Sequence, residues 1–214
     1  MSNEEQEVLD FFTQEENLPL ALSVAEQVDS IRQRMNNAFW RALYKKISTL
    51  LEAHRLLWVA ELTEDRNTPE GFVGINLHPM SDQELFLRLM IEQQYIGEDL
   101  RIYYGVMWSS TPTPDKSRLA EVSALSNALQ NEGFKNNENY LAWNWTIYHP
   151  RRKDFLLRYS TAADALLDEV SELLSHLMLA HGDALYAANE AVSTAPRSMA
   201  VSLDQLRSNI AKAP

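Results

Sequence analysis

The chain has 214 residues, of which 45% are hydrophobic and 23% charged, a balance that allows a substantial core and argues against intrinsic disorder. Thirty acidic side chains against 19 lysines and arginines give a net charge of −11, which repels nucleic acid and anionic membranes at long range. The absence of cysteine excludes disulfides, thiolate metal sites and thiol nucleophiles.

The N-terminal sequence MSNEEQEVLDFF lacks the basic stretch and long apolar run of a signal peptide. No segment reaches the ~18 consecutive apolar residues that a membrane helix needs. The sequence therefore predicts a cytoplasmic location and no membrane partner.

An acidic helical lead-in is followed by a long helix predicted over 18–53, in which apolar residues recur at steps of three and four. Residues 1–30 contain eight acidic side chains and no basic one, whereas residues 31–55 contain six basic and one acidic. These blocks indicate a contact between the two regions, within one chain or across a dimer. Two separately solvated faces are the alternative, and this is the interpretation that the sequence favours.

Beyond residue 54 the apolar period changes to two, which is typical of strands. Five strands are predicted: 55–62, 71–78, 85–92, 99–108 and 141–149. Two further amphipathic helices are predicted over 116–131 and 161–185, the latter capped by Ser160 or Thr161. The predicted fold is α+β, an antiparallel sheet of about five strands with long helices packed on one face. Residues 1–192 form the predicted single domain, and 193–214 a linker with a short C-terminal helix.

The strands 85–92 and 99–108 are joined by a short segment that contains Gly97, which predicts a hairpin. Both strands alternate, with Leu85, Leu87, Leu89 and Ile91 on one face of the first. A symmetric register would place Glu92 opposite Arg101 on the polar face.

Catalytic signatures are absent from the linear sequence. No lysine has an acidic residue two positions before it, as the (D/E)-x-K pair of metal-dependent nucleases requires, and no phosphate-binding glycine loop or GxSxG turn occurs. His176 and His181 share a predicted helix but point about 140° apart around its axis. No catalytic residue, metal ligand or cofactor is predicted, and the sequence favours a protein that is not an enzyme.

The segment LAWNWTIYHPRRKDF, residues 141–155, places aromatic side chains directly before three cations. Aromatic and cationic groups together suit a binding surface, so the candidate binding residues are Trp145, Tyr148, Arg151, Arg152 and Lys153. The alternative is a core strand with Trp143 and Ile147 buried, which ends at Pro150 and runs into an exposed turn.

In the order of its predicted elements, the chain resembles the C-terminal accessory region of some large bacterial proteins with an N-terminal PD-(D/E)XK nuclease domain. The segments that carry the resemblance are the acidic lead-in, NAFWRAL (37–43), the alternating strands, and YLAWNWTIY (140–148) with its following helix. The nuclease motif itself is absent here, so no catalytic residue carries over. The resemblance implies an accessory or substrate-sensing role in phage defence or mobile elements.

Three functions remain open. The first is a non-enzymatic binding or accessory protein, and the second is an acidic immunity or inhibitor protein that covers a basic partner. The third is an enzyme whose site is assembled from residues distant in sequence. The expected partner is a protein, with a second copy of the chain as one candidate, and the net charge disfavours nucleic acid.

Overall fold

The computed structural model describes residues 3–53, 58–63, 73–79, 85–97, 99–109, 112 and 114–195. Five antiparallel strands form one sheet in which each strand pairs with its neighbour in sequence. They are β1 (Trp58–Leu62), β2 (Val73–Pro79), β3 (Leu87–Ile96), β4 (Asp99–Trp108) and β5 (Tyr140–Trp145). The predicted five-stranded antiparallel sheet is confirmed.

The described helices are α1 (Asn3–Phe12), α2 (Leu18–Ala53), α3 (Pro114–Ser117), α4 (Ala120–Asn131), α5 (Lys153–Thr161) and α6 (Ala163–Thr194). The long helix predicted over 18–53 is α2, and it is unbroken. The helix predicted from residue 161 begins later, because Ala162 leaves helical geometry and becomes the N-cap of α6. The predicted caps Ser160 and Thr161 instead lie in α5. The start of the predicted linker belongs to α6, and the predicted C-terminal helix lies outside the described residues.

One face of the sheet carries the main core. Leu87, Leu89 and Ile91 of β3 point to this face, as the alternation predicts, and are at most 1% exposed. Phe39 and Trp40 of α2 are fully buried in the same cluster, together with apolar residues of α4, α5 and α6. The predicted α+β fold with long helices against one face is confirmed.

The opposite face carries a second, smaller cluster of Met90, Tyr103, Met107 and Tyr140, with Trp143 and Trp145 half-buried against it. Glu92 lies on this face and is fully buried, where its Oε2 accepts a 2.7 Å hydrogen bond from the Tyr103 hydroxyl. Burial, together with the neighbouring Glu92 and Tyr140, raises the pKa of Tyr103 well above its ordinary value.

The predicted pairing of Glu92 with Arg101 is wrong, although the hairpin itself is confirmed. Glu92 lies opposite Tyr103, and Arg101 lies opposite Gln94. The register differs because β3 continues through the predicted link as far as Ile96, which pairs with Asp99. Gly97 takes a φ of 61° at the turn, a conformation that glycine adopts at little cost.

Candidate binding cleft

A cleft of about 1120 Å³ lies where α2, the end of the β3–β4 hairpin and the start of α5 meet. It is lined by Asp29, Arg32, Tyr95, Gly97, Asp99, Arg151, Arg152, Lys153, Asp154 and Leu157. The three consecutive cations that the sequence singled out therefore share one concave surface. Residues more than 50 positions away in sequence complete that surface.

Hydrogen bonds to β4 hold the cationic turn in place. The Thr146 N–H and hydroxyl both donate to the Ile102 carbonyl, at 2.9 and 2.8 Å, and the Ile102 N–H donates to the Tyr148 carbonyl at 3.1 Å. The Arg152 N–H then closes the turn on the His149 carbonyl at 3.0 Å. The chain after β5 is thus tied to the sheet before it enters α5.

Arg151 connects the hairpin to α2. Its Nη1 donates to the Tyr95 hydroxyl at 3.0 Å and its Nη2 to Asp29 Oδ1 at 2.7 Å. The guanidinium carbon also lies 5.7 Å from the centroid of the Tyr95 ring. The hydrogen bond to Tyr95 and the charge of Asp29 outweigh partial burial and raise the pKa of Arg151.

Asp99 organises the other side of the cleft. Its Oδ2 lies 2.7 Å from both Arg152 Nη2 and His149 Nδ1. Burial alone would raise the pKa of Asp99, but the hydrogen bonds from His149 and Arg152 outweigh it and lower the pKa. The carboxylate therefore stays ionised and fixes the direction of Arg152.

The cleft has a local charge opposite in sign to that of the chain. Four cationic side chains, Arg32, Arg151, Arg152 and Lys153, face three carboxylates, Asp29, Asp99 and Asp154, on a chain whose net charge is −11. Lys153 is exposed at the first position of α5. An anionic group entering the cleft would meet a surplus of positive charge there.

The two aromatic residues of the predicted site lie elsewhere. Trp145 belongs to the second cluster, where the Arg101 guanidinium carbon lies 5.0 Å from its ring centroid. Tyr148 packs against the main core, and its hydroxyl donates to Glu169 at 3.0 Å. Burial and that hydrogen bond raise the pKa of Tyr148 to about 12. Neither side chain lines the cleft.

Ile147 was predicted to be buried, and this is wrong, because its side chain is 80% exposed. The strand β5 ends at Trp145, so the alternation that would bury Ile147 does not continue to that residue. Trp143 does pack against the second cluster, but it is half-buried.

Seven lining residues were not among the predicted site residues: Asp29, Arg32, Tyr95, Gly97, Asp99, Asp154 and Leu157. Five of them belong to α2 and to the β3–β4 hairpin, which meet the cationic turn only in the folded chain, so no local spacing marks them. The usable signal was Gly97, which predicts the hairpin whose end presents Tyr95 and Asp99 beside the turn.

The chemistry of the cleft suits binding better than proton transfer. Asp29 is paired with Arg32 and Arg151, and Asp99 with His149 and Arg152, so these carboxylates serve to position cations. Among the described residues, no three histidines or carboxylates are grouped so that they could hold a metal ion. Within the same residues, no helix combines the length and apolar character needed to cross a membrane.

The chain matches no family model, no curated protein and no solved structure. The resemblance to accessory regions of PD-(D/E)XK proteins therefore stays a prediction.

Proposed function

We propose that the chain is a non-enzymatic accessory protein whose cleft binds an acidic segment of a protein partner. The observation that carries this proposal is the convergence of Arg32, Arg151, Arg152 and Lys153 in one cleft of a chain with net charge −11. Clusters of arginine are a common means of recognising acidic motifs.

A peptide carboxylate fits the cleft better than a nucleic acid does. A polyanion that follows a phosphate backbone would meet Asp29, Asp99 and Asp154 in the same cleft, and an acidic surface around it. Nucleic-acid affinity depends mainly on cations that neutralise successive phosphates. A short acidic segment needs only one or two well-placed arginines, which can hold a carboxylate bidentately.

The partner segment should also carry an apolar side chain. Leu157 lines the cleft with 55% of its surface exposed, and the Tyr95 ring lies beneath Arg151. These groups offer apolar contact next to the cations. The resemblance to nuclease accessory regions would place the partner in a phage-defence or mobile-element system, which stays a prediction.

The proposal is tested with a fluorescent synthetic peptide of residues 1–16, MSNEEQEVLDFFTQEE, which is acidic and carries apolar residues. Its anisotropy is measured against the full chain at low salt and at about 0.5 M salt, where exposed charges are largely screened. We expect binding that weakens at least tenfold in the Arg152→Glu/Lys153→Glu variant and at high salt. A peptide of scrambled order tests whether binding depends on the sequence or on composition and charge alone.

The matched control is Arg118→Glu/Lys135→Glu, which makes the same charge change at two exposed cations outside the cleft. Equal loss of binding in this control would mean that net charge, and not the cleft, attracts the peptide. Tighter binding of a 20-base-pair DNA duplex than of the peptide would overturn the choice of partner class.

A further inference from the structure

Residues 3–35 form an arm, defined here as α1, the turn that follows it and residues 18–35 of α2. The α2 part is about 27 Å long at 1.5 Å per residue. No residue of the arm is buried, and burial in α2 begins only at Asn36. The arm therefore stands away from both hydrophobic clusters.

The arm exposes most of the large apolar side chains that the described structure leaves in solvent. Nine of the 14 such residues belong to it: Val8, Leu9, Phe11, Phe12, Leu18, Leu20, Leu22, Val24 and Ile31. Their exposed fractions range from 38 to 62%. Isolated exposed apolar residues are ordinary, but a contiguous apolar surface marks an interaction site.

The apolar face of the arm lacks a covering surface within the described chain. Leu20, Val24 and Ile31 share one side of α2 and are each at least 50% exposed. Most helical stability in proteins comes from tertiary packing of such a face, which gives it a reason to be covered.

Charge identifies the partner that fits. The tip of the arm is acidic, since residues 1–16 contain six carboxylates and no cation. Its base and the following turns of α2 are basic, with Arg32, Arg34, Arg41 and Lys45. A second copy of the chain supplies both blocks, and two arms that run in opposite directions bring each acidic tip to the other's basic base. Parallel arms would place acid against acid.

We propose that the arm pairs with the arm of a second copy of this chain, the two α2 helices running antiparallel about a twofold axis. The contact is isologous, since the same apolar stripe faces itself across the axis. Leu20, Val24, Val28 and Ile31 form that stripe, at steps of three and four residues. The proposal rests on the arm alone and does not require the cleft to bind any ligand.

The first test measures mass in solution by light scattering after size exclusion. At about 20 μM we expect twice the chain mass of 24.5 kDa. The Leu20→Glu/Ile31→Glu variant should be monomeric with unchanged helicity, because both side chains are at least 50% exposed in the single chain. The control Leu179→Glu/Ile147→Glu changes two exposed apolar residues outside the arm and should remain dimeric.

The second test uses the absence of cysteine. Single variants Leu20→Cys, Val24→Cys, Val28→Cys and Ile31→Cys are oxidised and separated without reductant. In an antiparallel pair, the separation of equivalent residues grows by about 3 Å for each residue away from the axis. A disulfide needs Cα atoms within about 7 Å, so only the one or two positions nearest the axis should cross-link.

Cross-linking at all four positions would overturn the antiparallel arrangement and indicate parallel helices. A monomeric wild-type chain at about 100 μM, or a dimer that survives Leu20→Glu/Ile31→Glu, would overturn the arm as the self-association surface. Because the peptide probe of the cleft consists of arm residues 1–16, the peptide measurement is made in the Leu20→Glu/Ile31→Glu background, where a loss of binding in Arg152→Glu/Lys153→Glu reports on the cleft alone. Failure of the peptide test would likewise leave the mass and cross-linking results intact.

Discussion

The two halves of α2 have similar apolar patterns and opposite environments. Residues 36–53 bury six side chains, among them Phe39, Trp40 and Leu43 at 0% exposure. Residues 18–35 carry Leu20, Val24, Val28, Ile31 and Met35 at similar spacing and bury none. Periodicity thus predicts a helix and its apolar face, but not the surface that covers the face. Within one chain, that surface must come from residues distant in sequence.

The largest expected effect comes from removing Trp40, which lies in the covered half. Trp40→Ala should lower the free energy of unfolding by about 4–5 kcal/mol, through the lost burial and the cavity left behind. It also leaves Gln93 Oε1 without the 2.6 Å hydrogen bond from Trp40 Nε1. Urea denaturation measures this loss.

Val24→Ala in the uncovered half is the matched control for Trp40→Ala. Val24 is 51% exposed, so this change should alter the stability of the monomer by less than about 0.5 kcal/mol. The measurement is made with Leu20→Glu/Ile31→Glu as the background, which separates folding from pairing. A loss of stability from Val24→Ala as large as that from Trp40→Ala would show that the first half of α2 is also packed within the single chain.

The same contrast occurs within the aromatic segment, where Trp143 and Ile147 were both predicted to be buried. Trp143 packs half-buried on the second cluster, and Ile147 is 80% exposed. Trp143→Ala should cost about 2–3 kcal/mol, below the range for a fully buried tryptophan. Ile147→Ala should cost less than about 0.5 kcal/mol. Thermal denaturation of the two variants side by side tests this, and a cost for Ile147→Ala near that of Trp143→Ala would contradict it.

Sequence reasoning predicted an antiparallel sheet of about five strands, the β3–β4 hairpin and the apolar face of β3, because alternation is local information. Leu87, Leu89 and Ile91 face the core as their spacing indicates. The burial of Glu92 could not be predicted from alternation. It depends on the cross-strand neighbours of Glu92, and the position of the turn sets these through the register. A hairpin turn displaced by a few residues changes every cross-strand partner.

The candidate site was predictable only in part for a related reason. Arg151, Arg152 and Lys153 are consecutive, so their proximity needs no fold. Asp29 and Asp99 reach them only through the packing of α2 and the hairpin end, and Trp145 is directed away because β5 presents it to the other face. Local sequence therefore indicates the cations but not their partners.

A smaller loss of stability is expected from Asp99→Asn, which tests how much the hydrogen bonds of Asp99 in the cleft contribute to folding. Asp99→Asn should lower stability at neutral pH by about 1–2 kcal/mol, because it weakens charge-assisted hydrogen bonds to Arg152 and His149. The folded-state pKa of Asp99 lies below its ordinary value of 3.8. Its stabilisation is therefore complete above that value and is lost as the pH falls through the lowered folded-state pKa.

The measurement for Asp99 is the free energy of unfolding of wild type and Asp99→Asn between about pH 2 and 7. The difference between the two proteins should shrink as the pH falls below the ordinary aspartate range. A difference that stays constant over this window would show that Asp99 acts through packing and not through its charge.

The smallest effects concern the cations themselves and the attachment of the arm to the body. Arg151 joins Asp29 near the arm's base to Tyr95 of β3, whereas Lys153 is exposed at the start of α5. Arg151→Ser should therefore cost about 1 kcal/mol, at the upper end for partly exposed ion pairs, and less at high salt. Lys153→Ser should change stability by less than about 0.5 kcal/mol.

Arg151→Lys separates the charge of Arg151 from its shape, because lysine keeps the charge but lacks the planar guanidinium. If Arg151→Lys restores less than half of the stability that Arg151→Ser loses, the stabilisation by Arg151 depends on the geometry of its hydrogen bonds. If Arg151→Lys has the stability of the wild type, the stabilisation depends on charge alone. The test is chemical denaturation at two salt concentrations, with Leu20→Glu/Ile31→Glu as the background.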